Sequence, residues 1–125
     1  MSGATFGACT PIFRSFDEAK AREFYIDFLG FSVVFEHRFE PNTPLYMGIQ
    51  LGDAVIHLSE HHGDAAPGGS VRIRCDDVAA LCKALDDKQY RHARPGYQDQ
   101  EWGTREMTIG DPFHNKVIFW QDLPA

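Results

Sequence analysis

The run His57-Leu58-Ser59-Glu60-His61-His62-Gly63-Asp64 sets three imidazoles beside two carboxylates, so metal chelation is the first chemistry to weigh. An HxxxH pair chelates when both rings share one helix face. Here the first histidine lies on an expected strand and the others fall in a Gly/Pro-rich loop, His61–Gly69 (HHGDAAPGG), where the side chains diverge into solvent. His57 by itself reads in two ways, as a half-buried structural histidine or as a cleft residue that hydrogen-bonds a ligand. Ser, His and Asp all occur, but no GxSxG elbow does, which argues against hydrolase chemistry. Cys9, Cys75 and Cys82 are an odd number without CxxC spacing, and read as buried small hydrophobes in a reducing cytoplasm.

These residues sit in a chain of 125 residues, 43% apolar and 13% aromatic. That length suits one domain, or two half-size modules sharing a core, and needs no disulfide or metal to fold. It is too short for a dinucleotide-binding domain plus a substrate domain. Eighteen acidic against twelve basic residues give net −6, and no Lys/Arg run appears. A nucleic-acid partner, which needs a basic face, is therefore not expected. An acidic body mildly favours cationic ligands. No stretch approaches the roughly 18 apolar residues of a membrane span, so no membrane partner is expected. The start Met1-Ser2-Gly3-Ala4 lacks signal-peptide character, and a cytoplasmic location is the expectation.

Positioning elements follow from periodicity. Asp17 is a good N-cap, and Ala21, Phe24, Tyr25, Phe28 and Leu29 follow it at i, i+3, i+4, i+7, i+8 spacing, with Gly30 as the stop. A strand is expected before this helix at 8–14, with Pro11 inside it. Three follow it, at 31–37, 45–51 and 54–59. The order then repeats: a strand at 70–75, a helix capped by Asp76-Asp77 carrying Val78, Leu81, Cys82 and Leu85, and strand signals near 90–93, 105–109 and 116–120. The expectation is an α+β fold, a single domain over 1–125 built of two tandem βαβββ modules, about 6–60 and about 68–122.

The opening Phe16-Asp17-…-Glu23-Phe24-Tyr25-…-Phe28-Leu29-Gly30-Phe31 resembles that of the glyoxalase/bleomycin resistance/dioxygenase superfamily, the vicinal oxygen chelate proteins. The ending Glu101-Trp102-Gly103-…-Arg105-Glu106-Met107-…-Asp111-Pro112-…-Asn115-…-Val117-…-Phe119 resembles the bleomycin-resistance branch, whose members carry a WGxR…DPxGN ending. Two departures stand out: Thr104 is an extra residue before Arg105, and His114 replaces the usual glycine. The resemblance implies two modules curled around a cleft, commonly completed by a second subunit. It also implies that Pro11 marks a first strand exchanged between subunits, against the plainer reading of an edge-strand proline.

Metal-dependent members take ligands from four positions, which fall here on Thr10, His57, Ser70 and Ile118. One imidazole, two hydroxyls and an isoleucine do not make a divalent-cation site. No metal, no cofactor and no catalytic residue are therefore expected, and binding is favoured over enzymatic turnover. If those four positions face the cleft, strand alternation adds Ile12, Arg14, Val55, Ser59, Arg72 and Trp120. Phe13, Ile56, Leu58, Val71, Ile73, Val117 and Phe119 then face the helices. The resemblance puts Phe39 and Trp102 in the cleft as aromatic walls, against plain core for Phe39 and a loop anchor for Trp102. The expected ligand cleft comprises Phe39, Tyr46, His57, Arg72, Glu101, Trp102, Ile118 and Trp120. Arg72 is discordant there. It would repel a cation unless Glu101, Glu60 or Glu36 neutralises it, would attract an anion, or forms a structural ion pair.

Three functions remain open on the sequence. The chain is a homodimeric, bleomycin-resistance-like module that sequesters a planar, partly cationic antibiotic. Alternatively it is a metal-dependent lyase, isomerase or dioxygenase of the superfamily. The third reading is a metal-free binder of another, anionic small molecule held by Arg72.

Overall fold

Two four-stranded sheets, each drawn from one half of the chain, carry the molecule; the computed structural model describes residues 3–124. The first half gives β1 (Ile12–Arg14), α1 (Glu18–Ala21), β2 (Ser32–His37), β3 (Tyr46–Leu51) and β4 (Ala54–Ser59). The second gives β5 (Ser70–Arg74), α2 (Val78–Asp87), β6 (Gln98–Asp99), β7 (Thr104–Gly110) and β8 (Lys116–Asp122). Strand order is β1-β4-β3-β2 in one sheet and β5-β8-β7-β6 in the other. In each, the first strand runs parallel to the last and the other pairs are antiparallel. This is the α+β architecture the repeat implied.

Both helices start where a carboxylate satisfies a free backbone donor: Asp17 accepts from Lys20 N and Asp77 from Ala80 N, each at 3.0 Å. After Ala21 the first helix widens into a π-helical stretch, Arg22–Phe28, which ends before Gly30 at φ +91°. Its expected apolar stripe is the core: Ala21, Phe24, Tyr25, Phe28 and Leu29 are all buried. Lys88 closes the second helix by donating to the carbonyls of Asp27 and Phe28, at 3.0 and 2.6 Å, so the two helix ends are tied together.

The split of strand faces holds. Phe13, Ile56, Leu58, Val117 and Phe119 are buried in the common core, with Val71 and Ile73 packed partly buried against it. The other faces are exposed or half-buried, except at Ser59, which was expected in the cleft and is fully buried. Several boundaries need correction. The first strand spans only Ile12–Arg14; the chain from Gly3 to Thr10 is exposed and takes no strand conformation. No strand forms at 90–93; Tyr90 instead stacks on Phe28 at 4.7 Å, and the second sheet takes its edge strand from Gln98–Asp99. Cys9 is exposed, and Cys75 and Cys82 are half-buried, rather than fully buried.

Candidate functional site

The residues expected to line a cleft fall into two clusters, one on each sheet. On the first, β3 and β4 pair Tyr46 with Ser59 and Gly48 with His57. The Tyr46 hydroxyl lies 2.7 Å from His57 Nδ1, and Phe35 of β2 stacks on Tyr46 (centroids 6.1 Å, 15°) and meets His57 edge-on at 5.1 Å. Phe39 follows on the loop after β2, 76% exposed, with its ring perpendicular to His37 at 4.8 Å and to His61 at 5.9 Å. Phe39 is therefore not core. Sequence reasoning missed Phe35. The available signal was Gly48 inside a strand: a Cβ there would collide with Phe35 Cε1, so the glycine makes room for the ring.

On the second sheet, β8 supplies Ile118 and Trp120 and β5 supplies Arg72 and Arg74, with Arg72 opposite Ile118 and Arg74 opposite Trp120. Both guanidinium groups lie over the Trp120 ring, at 5.2 and 5.0 Å. Arg72 is clamped by Glu106 through two parallel hydrogen bonds of 3.0 and 3.1 Å. Glu106, on β7 opposite Trp120, also accepts from the Thr104 hydroxyl at 2.6 Å and, longer, from Trp102 Nε1 at 3.4 Å. The residue inserted relative to the bleomycin-resistance pattern, Thr104, thus helps hold the acid that holds Arg72.

The three acids first considered for Arg72 are placed elsewhere. Glu36 pairs with Arg22, Glu60 accepts from Leu45 N, and Glu101 is exposed with no side-chain hydrogen bond or ion pair among the described residues. Glu106 is the partner, and its carboxylate balances the Arg72 charge. Arg74 with Asp122 and Arg105 with Asp99 are likewise paired. The face is consequently close to neutral, with Trp102 66% exposed at its margin and Trp120 half-buried at its centre.

The Arg72 hydrogen bonds, followed by those of Thr104 and Trp102, pull the Glu106 carboxyl from an ordinary 4.5 to about 2. A carboxyl with a depressed folded-state pKa stabilises fully above its unfolded value and loses that contribution as pH falls toward its folded value. Stability is therefore expected to drop between pH 4.5 and 2 through this group, and Glu106→Gln is expected to flatten that part of the profile. Urea midpoints at pH 3 and pH 7 check this. Equal pH dependence in both proteins would contradict it.

Tested against a divalent cation, the four superfamily positions do not fit. Ile118 has no donor atom, Thr10 and Ser70 offer neutral hydroxyls, and His57 uses Nδ1 on Tyr46. Among the described residues, no group of three or more His, Cys, Asp or Glu is placed to hold a metal ion. No helix among them is long and apolar enough to cross a membrane.

A family model described as "Glyoxalase superfamily protein" matches residues 1–123. No curated protein matches the chain by sequence. Among solved structures, a bleomycin-binding protein complexed with bleomycin is similar at 26% identity, over 94% of this chain and 99% of that one, with a TM-score of 0.68. The bleomycin-binding protein of bleomycin-producing Streptomyces verticillus, complexed with copper(II)-bleomycin, is 24% identical over 98% and 99%, with a TM-score of 0.70. A glyoxalase family protein from Bacillus anthracis has the same fold at 14% identity, over 98% and 99%, with a TM-score of 0.75.

Proposed function

Because the chain belongs to the glyoxalase superfamily, we propose that it is a metal-independent binding protein that holds a planar, partly cationic, bleomycin-like compound between aromatic faces. The observation that carries this reading is the pairing of Arg72 with Glu106. It removes the positive charge that stood against a cationic ligand and leaves flat surfaces, Trp102 and Trp120 on one sheet and Phe39 with Tyr46 and His57 on the other. Stacking on such rings contributes about 0.5–1.5 kcal/mol per ring beyond area burial. Glu101, unpaired beside Trp102, and the net −6 of the chain add attraction for a cation. No turnover is required, and Ile118, two residues before Trp120 on β8, would add an apolar contact.

In this reading the two clusters form one cleft when a second copy packs against the first. The exposed Val34 and Phe35 of β2, together with the exposed 3–10 arm and its 94%-exposed Phe6, support a homodimer. Pro11, whose carbonyl accepts from His57 N at 3.0 Å, is the hinge from which the arm would cross. The protein would act in the cytoplasm as a sequestering agent.

The test is a titration of tryptophan fluorescence with metal-free bleomycin after treatment of the protein with a chelator. Saturable quenching, with a sedimenting mass twice that of the chain, is expected. Unchanged fluorescence, or binding that returns only with added metal, would overturn the reading.

A further inference from the structure

Beside the first cluster lies a small cavity of about 240 Å³, lined by His37, Phe39, Tyr46, His61 and Asp64. Its walls are rings set at steep angles, with Phe39 nearly perpendicular to both His37 and His61. Its acid is fixed in place. The buried Ser59 hydroxyl donates to Asp64 Oδ2 at 2.6 Å and accepts from His61 N at 3.1 Å, and Asp64 N donates to the His61 carbonyl at 3.2 Å. Ser59 therefore locks the turn that carries both a ring and the carboxylate. No Lys or Arg among the described residues pairs with Asp64. Asp64 is also close enough to Tyr46 for its charge, second to burial, to raise the phenol's pKa.

From this box of rings with one unpaired carboxylate at its edge, we infer that the cavity is a cage for a methylated ammonium group on the ligand. Ring faces attract a cation through their quadrupoles, and the bulky, weakly hydrated methylated head gives up little hydration on entry. A primary ammonium, strongly hydrated, suits the cage less well. Asp64 neutralises the charge, while the methyl groups pack against the ring faces. The inference rests on the proposed binding of a partly cationic planar compound, and assigns its positive end to the first sheet and its planar part to the Trp102–Trp120 face.

The probe is choline, compared with its neutral isostere 3,3-dimethylbutan-1-ol, read by ring and imidazole NMR shifts of the full chain at pH 8, above the range in which an ordinary imidazole titrates. Choline is expected to shift the His37, Phe39 and His61 rings saturably, at least tenfold more tightly than the isostere. Asp64→Asn is expected to weaken choline at least fivefold and Asp64→Glu to restore part of the loss. Equal binding of choline and its isostere, or no loss with Asp64→Asn, would overturn the cage. If choline behaves as expected while bleomycin fails to quench tryptophan, the cage stands and the planar-ligand reading falls. The reverse pattern removes the cage alone.

Discussion

Asp111→Ala is expected to destabilise the fold by about 3–5 kcal/mol, a large fraction of the roughly 5–15 kcal/mol that holds a domain of this size. Its carboxylate accepts from the backbone N–H groups of Phe113 and Asn115, both at 2.8 Å, from Asn115 Nδ2 at 2.9 Å and from the Tyr25 hydroxyl at 2.6 Å. Asn115 is fully buried, accepts from Gly69 N and donates to the Arg14 carbonyl, so one carboxylate fixes a junction of β1, the first helix and the β7–β8 turn. Tyr25 is fully buried, and burial together with the Asp111 charge pushes its pKa far up, so the phenol remains a neutral donor. Removing the carboxylate strands that hydroxyl and the backbone N–H groups of buried Phe113 and Asn115 without these partners. Tyr25→Phe removes one bond and keeps the packing, so it should cost only about 1 kcal/mol. Urea denaturation of the three proteins at pH 7 decides the matter. Coincident midpoints for Asp111→Ala and the wild type would show that the junction carries no stability.

Trp102→Ala is expected to weaken a bleomycin-like ligand about 30-fold, near 2 kcal/mol, with the fold intact. The indole is 66% exposed, and its one side-chain hydrogen bond among the described residues is the long contact from Nε1 to Glu106, so little native packing depends on it. An aromatic ring presented to solvent at that cost is explained by a planar partner that covers it. Phe39→Ala should act in the same direction, about tenfold, since Phe39 is also largely exposed. Thermal unfolding should shift little in either variant, because neither side chain belongs to the core. Affinity measured by fluorescence anisotropy of a labelled ligand separates the outcomes. A Trp102→Ala protein that binds as tightly as the wild type would remove the stacking face from the account.

Much of this fold was legible because its signals are local. Asp17 and Asp77 announce two helices through caps that need only the next three residues. The alternation from Ala54 to Leu58 and from Lys116 to Trp120 sorted the more buried from the more open faces, while Ser59, expected on the open face, is buried. The long-range chemistry was not legible. Arg72 and Glu106 are 34 residues apart, and nothing near either one selects Glu106 over Glu101, Glu60 or Glu36. The Asp111-Pro112-…-Asn115 motif marked the family, but its work on Tyr25, 86 residues away, appears only in three dimensions. His114, the departure at the usual glycine, takes φ +69°, a left-handed conformation that explains why glycine is favoured there. The short first strand escaped the reading because extended residues before Pro11 look the same in sequence whether or not a neighbour pairs with them.

Calorimetric titration of metal-free bleomycin into the chelator-treated protein tests the central claim most directly, because it asks for binding without metal or turnover. The expected result is a saturable heat with a Kd of about 1 µM or tighter, lost in large part with Trp102→Ala. No heat at micromolar protein, with the fold intact by circular dichroism, would contradict the claim that these aromatic faces form a bleomycin-like binding site.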